Sequence, residues 1–344
     1  MSPLAIATAP TGRIDLVRPH ASTLAESLAA AEFAQRGGFS RLWVSEVAGF
    51  DAVALAARLR GDFPKLPMTV GPLPATLRSA PQLAMAAASF DKFGGDTEFV
   101  IGASSPAITE GWHGRVRGRV SSIEAILETY DRVMRGQSSD CDEKDARSHG
   151  FRLKLTDVRR VPLGLAALGP RMRSLAARRA DRLVINFSTP EQAKKVVEQC
   201  RFEAESASRP TPPVTAWLHV AVNANESELE VCRRFLARYV RAPGYRENFA
   251  EMGFRDFITA VVNIRDFEDV VAAIPDALLD RVCATGNADE VVSRIRQFTD
   301  SGIHVAVSCP IPFSEGGKAT VTKLSQALKS ERTKSTFQPT AQFH

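Results

Sequence analysis

The sequence lacks any segment that would hold it in a membrane or export it. No apolar run in its 344 residues approaches the roughly 18 to 20 residues that span a bilayer. The first residues, MSPLAIATAPTGRIDLVRPH, have neither the basic start, the long apolar middle nor the small-residue cleavage site of a signal peptide. We therefore expect a cytoplasmic protein that does not associate with membranes.

Cysteine is scarce, and no two cysteines form a C-x-x-C motif. The chain has five, an odd number, at Cys141, Cys200, Cys232, Cys283 and Cys309. This pattern predicts neither a disulfide framework nor a zinc site. No second His, Asp or Glu lies at metal-ligand spacing from His219. We expect free thiols and no bound metal ion.

A basic stripe interleaved with aromatic side chains, as nucleic-acid-binding surfaces have, is also missing. The net charge is +5, but the Arg and Lys residues are spread over many predicted helices. We therefore expect no nucleic-acid partner. The positive charge favours a small anionic ligand instead.

What the sequence does have is an alternation of short apolar segments with longer amphipathic ones, at roughly 25 to 40 residues per repeat. The predicted strands are residues 3–8, 40–46, 66–71, 97–103, 162–168, 182–187, 213–222 and 303–309. Eight strands separated by helices predict a (β/α)8 TIM barrel, whose active site lies at the carboxyl ends of the strands. An open doubly wound sheet is the alternative, but no G-x-G-x-x-G follows an early strand.

Capping signals mark several helices, among them Thr23 with Glu26 and Thr189 with Gln192. Two stretches interrupt the alternation. Residues 136–157 are a polar excursion, and residues 223–290 predict a helical insertion without a strand before strand eight. We predict one domain over residues 1–330 and a flexible tail over 331–344, which has too little apolar content to pack.

If the barrel is right, the residues that follow the strands are candidates for chemistry. After the fifth predicted strand, Gly169, Pro170 and Arg171 combine open backbone, a helix start and a cation, which suits a phosphate; an ordinary βα turn is equally consistent. Glu46 follows the second strand and either enters the barrel mouth, where burial would raise its pKa, or forms a structural ion pair.

The loop after the fourth strand contains TEGWHGR. His113 has an imidazole suited to general acid or base catalysis. In the alternative, Trp112 packs on a neighbouring helix and His113 caps a turn between two glycines. His219 has the pattern of a barrel-interior histidine, and Cys309 ends the last strand without a visible base to activate it.

Four longer segments resemble one family. They are GFSRLWVSEVAGFDAVALAA, FVIGASSPAITEGWHGR, LAALGPRMRSLAARRADRLVINFSTPE, and YVRAPGYRENFAEMGF followed by TGNADEVVSRIRQFTDSGI. In order and spacing, over residues 38–312, they resemble the bacterial luciferase-like family, specifically the actinobacterial branch of oxidoreductases that use the deazaflavin coenzyme F420.

The resemblance implies a TIM barrel with a flavin or deazaflavin in its mouth and hydride transfer to a small organic substrate. It places the cofactor phosphate at Gly169, Pro170 and Arg171, and the ring over a bulge at Val70, Gly71 and Pro72, where a cis peptide is expected. Ala103, Ser104 and Ser105 would line the cofactor, with Glu46, His113 and Trp112 as the catalytic candidates. It also implies a homodimer.

Two other functions remain open. One is a monooxygenase that uses flavin mononucleotide (FMN) from a reductase partner, and the other is a cofactor-free relative that serves as a binding subunit. The second is motivated by departures from the family pattern: Val47 follows Glu46 where many relatives have histidine, and Val100 replaces the first glycine of the fourth strand.

Overall fold

Eight parallel strands close into a barrel in the computed structural model, which describes residues 12–19 and 23–336. The barrel strands are β1 (Ile14–Val17), β2 (Leu42–Val44), β3 (Met68–Pro74), β4 (Thr97–Gly102), β7 (Leu163–Ala166), β8 (Leu183–Asn186), β9 (Val214–Val222) and β11 (His304–Ser308). The barrel closes because β9 pairs with both β8 and β11, and β11 pairs with β1. The predicted (β/α)8 TIM barrel is confirmed.

Three further strands lie outside the barrel. A short antiparallel hairpin, β5 (Asp140–Cys141) with β6 (Ser148–His149), occupies the predicted excursion. β10 (Cys283–Gly286) pairs with residues 219–222 of β9, beyond the part of β9 that pairs with β8. The expectation of an insertion without a strand was therefore wrong, because CATG is too short and too rich in small residues to give a strand pattern.

Two predictions concern residues outside the described part of the chain. The predicted strand at residues 3–8 lies outside it, and the first described barrel strand is β1. The last helix runs to Thr336, and residues 337–344 of the predicted tail also lie outside the described part.

Helices follow most strands and cover the barrel. They are α1 (Leu24–Arg36), α2 (Ala52–Asp62), α3 (Ala80–Phe93), α4 (Val120–Met134), α5 (Pro170–Arg179), α6 (Pro190–Ser206), α7 (Glu226–Ala237), α8 (Tyr245–Phe249), α9 (Arg255–Val261), α10 (Phe267–Ala272), α11 (Asp276–Val282), α12 (Ala288–Thr299) and α13 (Gly317–Thr336). The capping boxes at Thr23 and Thr189 are both present. Within the described ranges, no helix is long and apolar enough to cross a membrane.

Two tryptophans fill the middle of the barrel. The rings of Trp43 and Trp217 meet edge to face, with centroids 5.7 Å apart and planes at 87°. The layer around them is apolar and buried, and it consists of Val17, Val100, Val184 and Ala306. An edge-to-face pair adds about 1 kcal/mol to the burial of its rings. The centre of the barrel is thus a packed plug.

A charged layer lies next to this plug, towards the amino ends of the strands. Arg182 donates to both oxygens of Glu98, with Nε–Oε1 at 2.6 Å and Nη2–Oε2 at 3.1 Å. The Trp43 indole N–H donates to Asp15 Oδ2 at 2.9 Å. Burial raises the pKa of Asp15, although the bond from Trp43 opposes the shift. Burial, and then the nearby Arg182, lowers the pKa of His304 to about 4.

Candidate active site at the carboxyl ends of the strands

The carboxyl ends of the barrel strands meet at one face, and the residues predicted to be functional lie on it. Glu46 follows β2, Gly71 and Pro72 lie in β3, and Ser104 follows β4. Gly169 precedes α5, which follows β7. This is the face at which TIM-barrel enzymes carry their active sites.

Strand β3 has a bulge with a cis peptide between Gly71 and Pro72. The register with β4 shifts between Val70 and Leu73. Gly71 has φ of +129°, and a Cβ there would lie 2.1 Å from the Val100 carbonyl oxygen. Only glycine fits this position. The bulge and the cis peptide expected at Val70, Gly71 and Pro72 are confirmed.

The end of β4 turns sharply into the TEGWHGR loop. Ser104 has a left-handed backbone, with φ of +60°. The carbonyl oxygen of Ser105 accepts a bond from the Thr109 hydroxyl at 3.1 Å, which fixes a π-helical turn over Ala107–Trp112. Trp112 is 57% exposed, which argues against packing on a neighbouring helix. His113 is exposed beside it, so neither side chain is buried in the barrel.

The start of α5 is open and is flanked by guanidinium groups. Gly169 caps the helix without a side-chain bond, and a Cβ there would meet no atom within 4 Å. Gly244, which precedes α8, lies against Leu168. The buried Nε atoms of Arg173 and Arg246 have no hydrogen-bond partner in the described part of the chain. Burial lowers the pKa of Arg173. An anion bound at Gly169, Pro170 and Arg171 would meet helix N–H groups and unsatisfied donors.

Glu46 is held by Arg78. Nη1–Oε1 is 2.7 Å and Nη2–Oε2 is 2.8 Å. The backbone N–H of Ala52 donates to the same carboxylate at 3.0 Å, and Arg78 also binds Asp51. Burial alone would lower the pKa of Arg78, but its bonds to Glu46 and Asp51 reverse the effect and raise it. The structural ion pair considered from the sequence is therefore present.

His219 belongs to a buried polar chain that the sequence did not reveal. Its Nε2 lies 2.9 Å from Asn186 Oδ1, and the Asn186 amide donates to the Tyr245 hydroxyl at 3.1 Å. Asn186 Oδ1 also accepts the backbone N–H of Phe187, so His219 donates through Nε2. Phe187, at φ of +48°, packs on the imidazole with centroids 4.4 Å apart. The sequence signal for this chain of hydrogen bonds was Asn186, a polar residue directly after the apolar segment LVI.

Other candidate sites are closed or lie elsewhere. The Cys309 thiol donates to the Ile311 carbonyl oxygen, and burial raises its pKa to about 12, so it is not a ready nucleophile. All five cysteines are free thiols. In the described ranges no group of three or more His, Cys, Asp or Glu side chains is arranged around a metal position. A cleft of about 530 Å³ lies at the opposite face, beside Thr97 and Pro162 at the amino ends of β4 and β7.

Comparison with known proteins identifies the family. Residues 6–305 match the sequence model of the luciferase-like monooxygenase family, and the chain belongs to that family. Its members are oxidoreductases. The chain is 24% identical over 164 residues to 5,10-methylenetetrahydromethanopterin reductase of Archaeoglobus fulgidus. That match covers 44% of this chain and 49%, about half, of the relative.

Two solved structures share the fold. An F420-dependent secondary alcohol dehydrogenase, in complex with an F420–acetone adduct, superposes with a TM-score of 0.74 at 14% identity, over 93% of this chain and 99% of that one. The EDTA monooxygenase of Chelativorans sp. BNC1 superposes with a TM-score of 0.67 at 15% identity, over 93% and 94% of the two chains. At these identities the likeness establishes the barrel alone.

Proposed function

We propose that the protein is a cytoplasmic F420-dependent oxidoreductase that transfers a hydride between the deazaflavin ring and a small organic substrate. The observation that carries the proposal is the pairing of a glycine-only bulge at Gly71–Pro72 with an open, cation-flanked helix start at Gly169. A flat ring needs close approach of backbone, and a phosphate needs N–H donors and positive charge. The bound deazaflavin would supply the ring carbon that gives or takes the hydride.

The chain's own residues would bind and orient this cofactor. Val70, Gly71 and Pro72 would support the ring, and Ala103, Ser104 and Ser105 would line its edge. Gly169, Pro170 and Arg171 would hold the phosphate, assisted by the unsatisfied Nε groups of Arg173 and Arg246. A buried guanidinium N–H that lacks a hydrogen-bond partner gains a charge-assisted bond when an anion binds.

Proton transfer is assigned to His113 and Glu46, with Trp112 shaping the substrate side of the mouth. His113 is exposed, so its imidazole is open to solvent and to a substrate in the mouth. Glu46 can act only if its bond to Arg78 opens, so His113 is the better placed of the two.

An FMN-dependent monooxygenase is the second candidate. It is supported by the family description and by the fold shared with the EDTA monooxygenase. The same bulge and phosphate cradle would accept the flavin, so the residues do not separate the two cofactors. The family resemblance to F420 enzymes and the fold shared with the F420-dependent secondary alcohol dehydrogenase favour the deazaflavin.

The test is a fluorescence titration of the purified protein with F420 and, separately, with FMN. We expect saturable F420 binding that weakens about tenfold in Arg173→Gln, because one guanidinium contact to a phosphate is lost. The matched control is Arg178→Gln on the same helix, whose side chain pairs with Glu203 on the surface. Saturation by FMN alone would favour the monooxygenase, and binding of neither cofactor would refute both enzymes and favour a cofactor-free relative. Mass measurement in solution checks the homodimer.

A further inference from the structure

Three arginines follow the π-helical turn within five residues. Arg115, Arg117 and Arg119 alternate with Val116 and Gly118 in a segment that is neither helix nor strand. Cα atoms four residues apart, as in Arg115 and Arg119, are at most about 14 Å from each other, and an arginine side chain extends several Å beyond its Cα. The three charges therefore stay within reach of one small ligand.

The segment is fixed over the ends of β4 and β3. Arg117 Nε donates to the Ser104 carbonyl oxygen at 3.1 Å, and the backbone N–H of Arg115 donates to the Thr109 carbonyl oxygen at 2.8 Å. A Cβ on Gly118 would lie 3.0 Å from the Ile123 side chain and 3.5 Å from Thr76. The arginines thus stand beside the two strand ends assigned to the cofactor ring.

These three charges have almost no acidic neighbours in the sequence. Between residues 103 and 119, Glu110 is the only acidic residue. Within the described chain no ion pair involves Arg115, Arg117 or Arg119, whereas Arg78, Arg160 and Arg182 all pair with carboxylates. Arg115 and Arg119 are exposed, and the exposed indole of Trp112 lies three residues from Arg115.

We propose that the substrate is an organic anion, and that Arg115 and Arg119 bind its carboxylate or phosphate group at the rim while Arg117 holds the segment in place. The inference rests on the proposed function, because it names the substrate class of the same site. Guanidinium groups form charge-assisted, often paired, bonds with such anions. Positive charge beside the carboxyl ends of the strands also steers anions towards them.

The test uses citrate as the probe and the fluorescence of Trp112 as the signal. The chain has three tryptophans, and the other two are buried in the barrel plug, so Trp112 reports on this segment. We expect saturable quenching by citrate that is lost in Trp112→Phe. In Arg115→Gln/Arg119→Gln the Kd should rise about tenfold, as two partly solvated ion pairs are removed.

The matched control is Arg201→Gln/Arg265→Gln, which removes the same charge from two exposed arginines on α6 and in the helical insertion. An unchanged Kd in the control supports the site. An equal rise in both double variants, or no citrate binding by the wild-type protein, overturns it. F420 titration of the same samples separates the two claims. If the wild-type protein binds citrate through these arginines but does not bind F420, the oxidoreductase is refuted. If it binds F420 but citrate binding does not depend on these arginines, the anionic substrate is refuted.

Discussion

Arg78 binds Glu46 through both carboxylate oxygens, at 2.7 Å and 2.8 Å, across 32 positions of sequence. The pair joins the end of β2 to the residue that follows the short 3₁₀ turn Ala75–Leu77. Both side chains are largely buried, at 11% and 14% exposure. Glu46 therefore has a structural role that does not depend on any part in proton transfer.

Substitution of Arg78 by methionine should lower the free energy of unfolding by about 2 kcal/mol, because a mostly buried carboxylate loses its partner. Urea unfolding measures the change. Arg58→Met, which removes an exposed pair with Asp62, should cost less than about 1 kcal/mol. If both variants unfold at the same urea concentration, the pair contributes nothing beyond a surface contact.

The bidentate pair between Arg182 and Glu98 should be more costly to break. Its side chains are only 9% and 7% exposed, so Arg182→Met should destabilise the fold by about 3 to 5 kcal/mol. Thermal unfolding of Arg182→Met beside Arg178→Met tests this, since Arg178 forms a surface pair. A shift in Tm no larger than that of the control would contradict the assignment of a buried charged layer.

Acid should destabilise the barrel through His304. Its folded pKa is about 4, below the unfolded value of roughly 6.5, so the unfolded chain binds more protons between these values. Stability from this group is complete above pH 6.5 and is lost as the pH falls towards 4. Allowing for partial solvent screening, the loss is about 1 kcal/mol. Wild type should therefore lose about that much more stability than His304→Gln between pH 7 and pH 4.5, and parallel pH profiles would refute this.

Asn186 should anchor the insertion to the barrel. Asn186→Ala removes the hydrogen bonds of Asn186 to His219 and to Tyr245 in one step and should cost about 1 to 3 kcal/mol. Hydrogen exchange should accelerate in α8, which contains Tyr245. Asn263→Ala serves as the control, because its amide makes one exposed bond to Thr259 within its own turn. Unchanged exchange in α8 would show that the chain of bonds does not hold the insertion.

The barrel could be predicted because buried parallel strands are nearly continuous apolar runs. The first described strand was harder to predict, since IDLV is interrupted by Asp15, whose buried carboxylate accepts a bond from Trp43. A segment at residues 3–8, outside the described chain, looked more strand-like. The strand β10 was not predicted, because its four small residues show no alternation of apolar and polar side chains.

Part of the geometry of the candidate site could be predicted. The bulge at Gly71 and the open turn at Gly169 are set by the local sequence. They could therefore be predicted from the residues and from the family resemblance. The bond from Asn186 to Tyr245 spans 59 positions and depends on how the insertion packs, which no local pattern specifies. Whether Glu46 enters the barrel mouth or forms an ion pair likewise could not be predicted, because the answer depends on where Arg78 lies in the fold.

The paired rings of Trp43 and Trp217 also divide the barrel into two compartments that can change separately during evolution. The rings lie between the mouth and the charged layer beneath, which Trp43 touches through its bond to Asp15, so a substitution at the mouth can leave that layer unchanged. The charged layer at the amino ends of the strands can therefore stay the same while the residues at the mouth change.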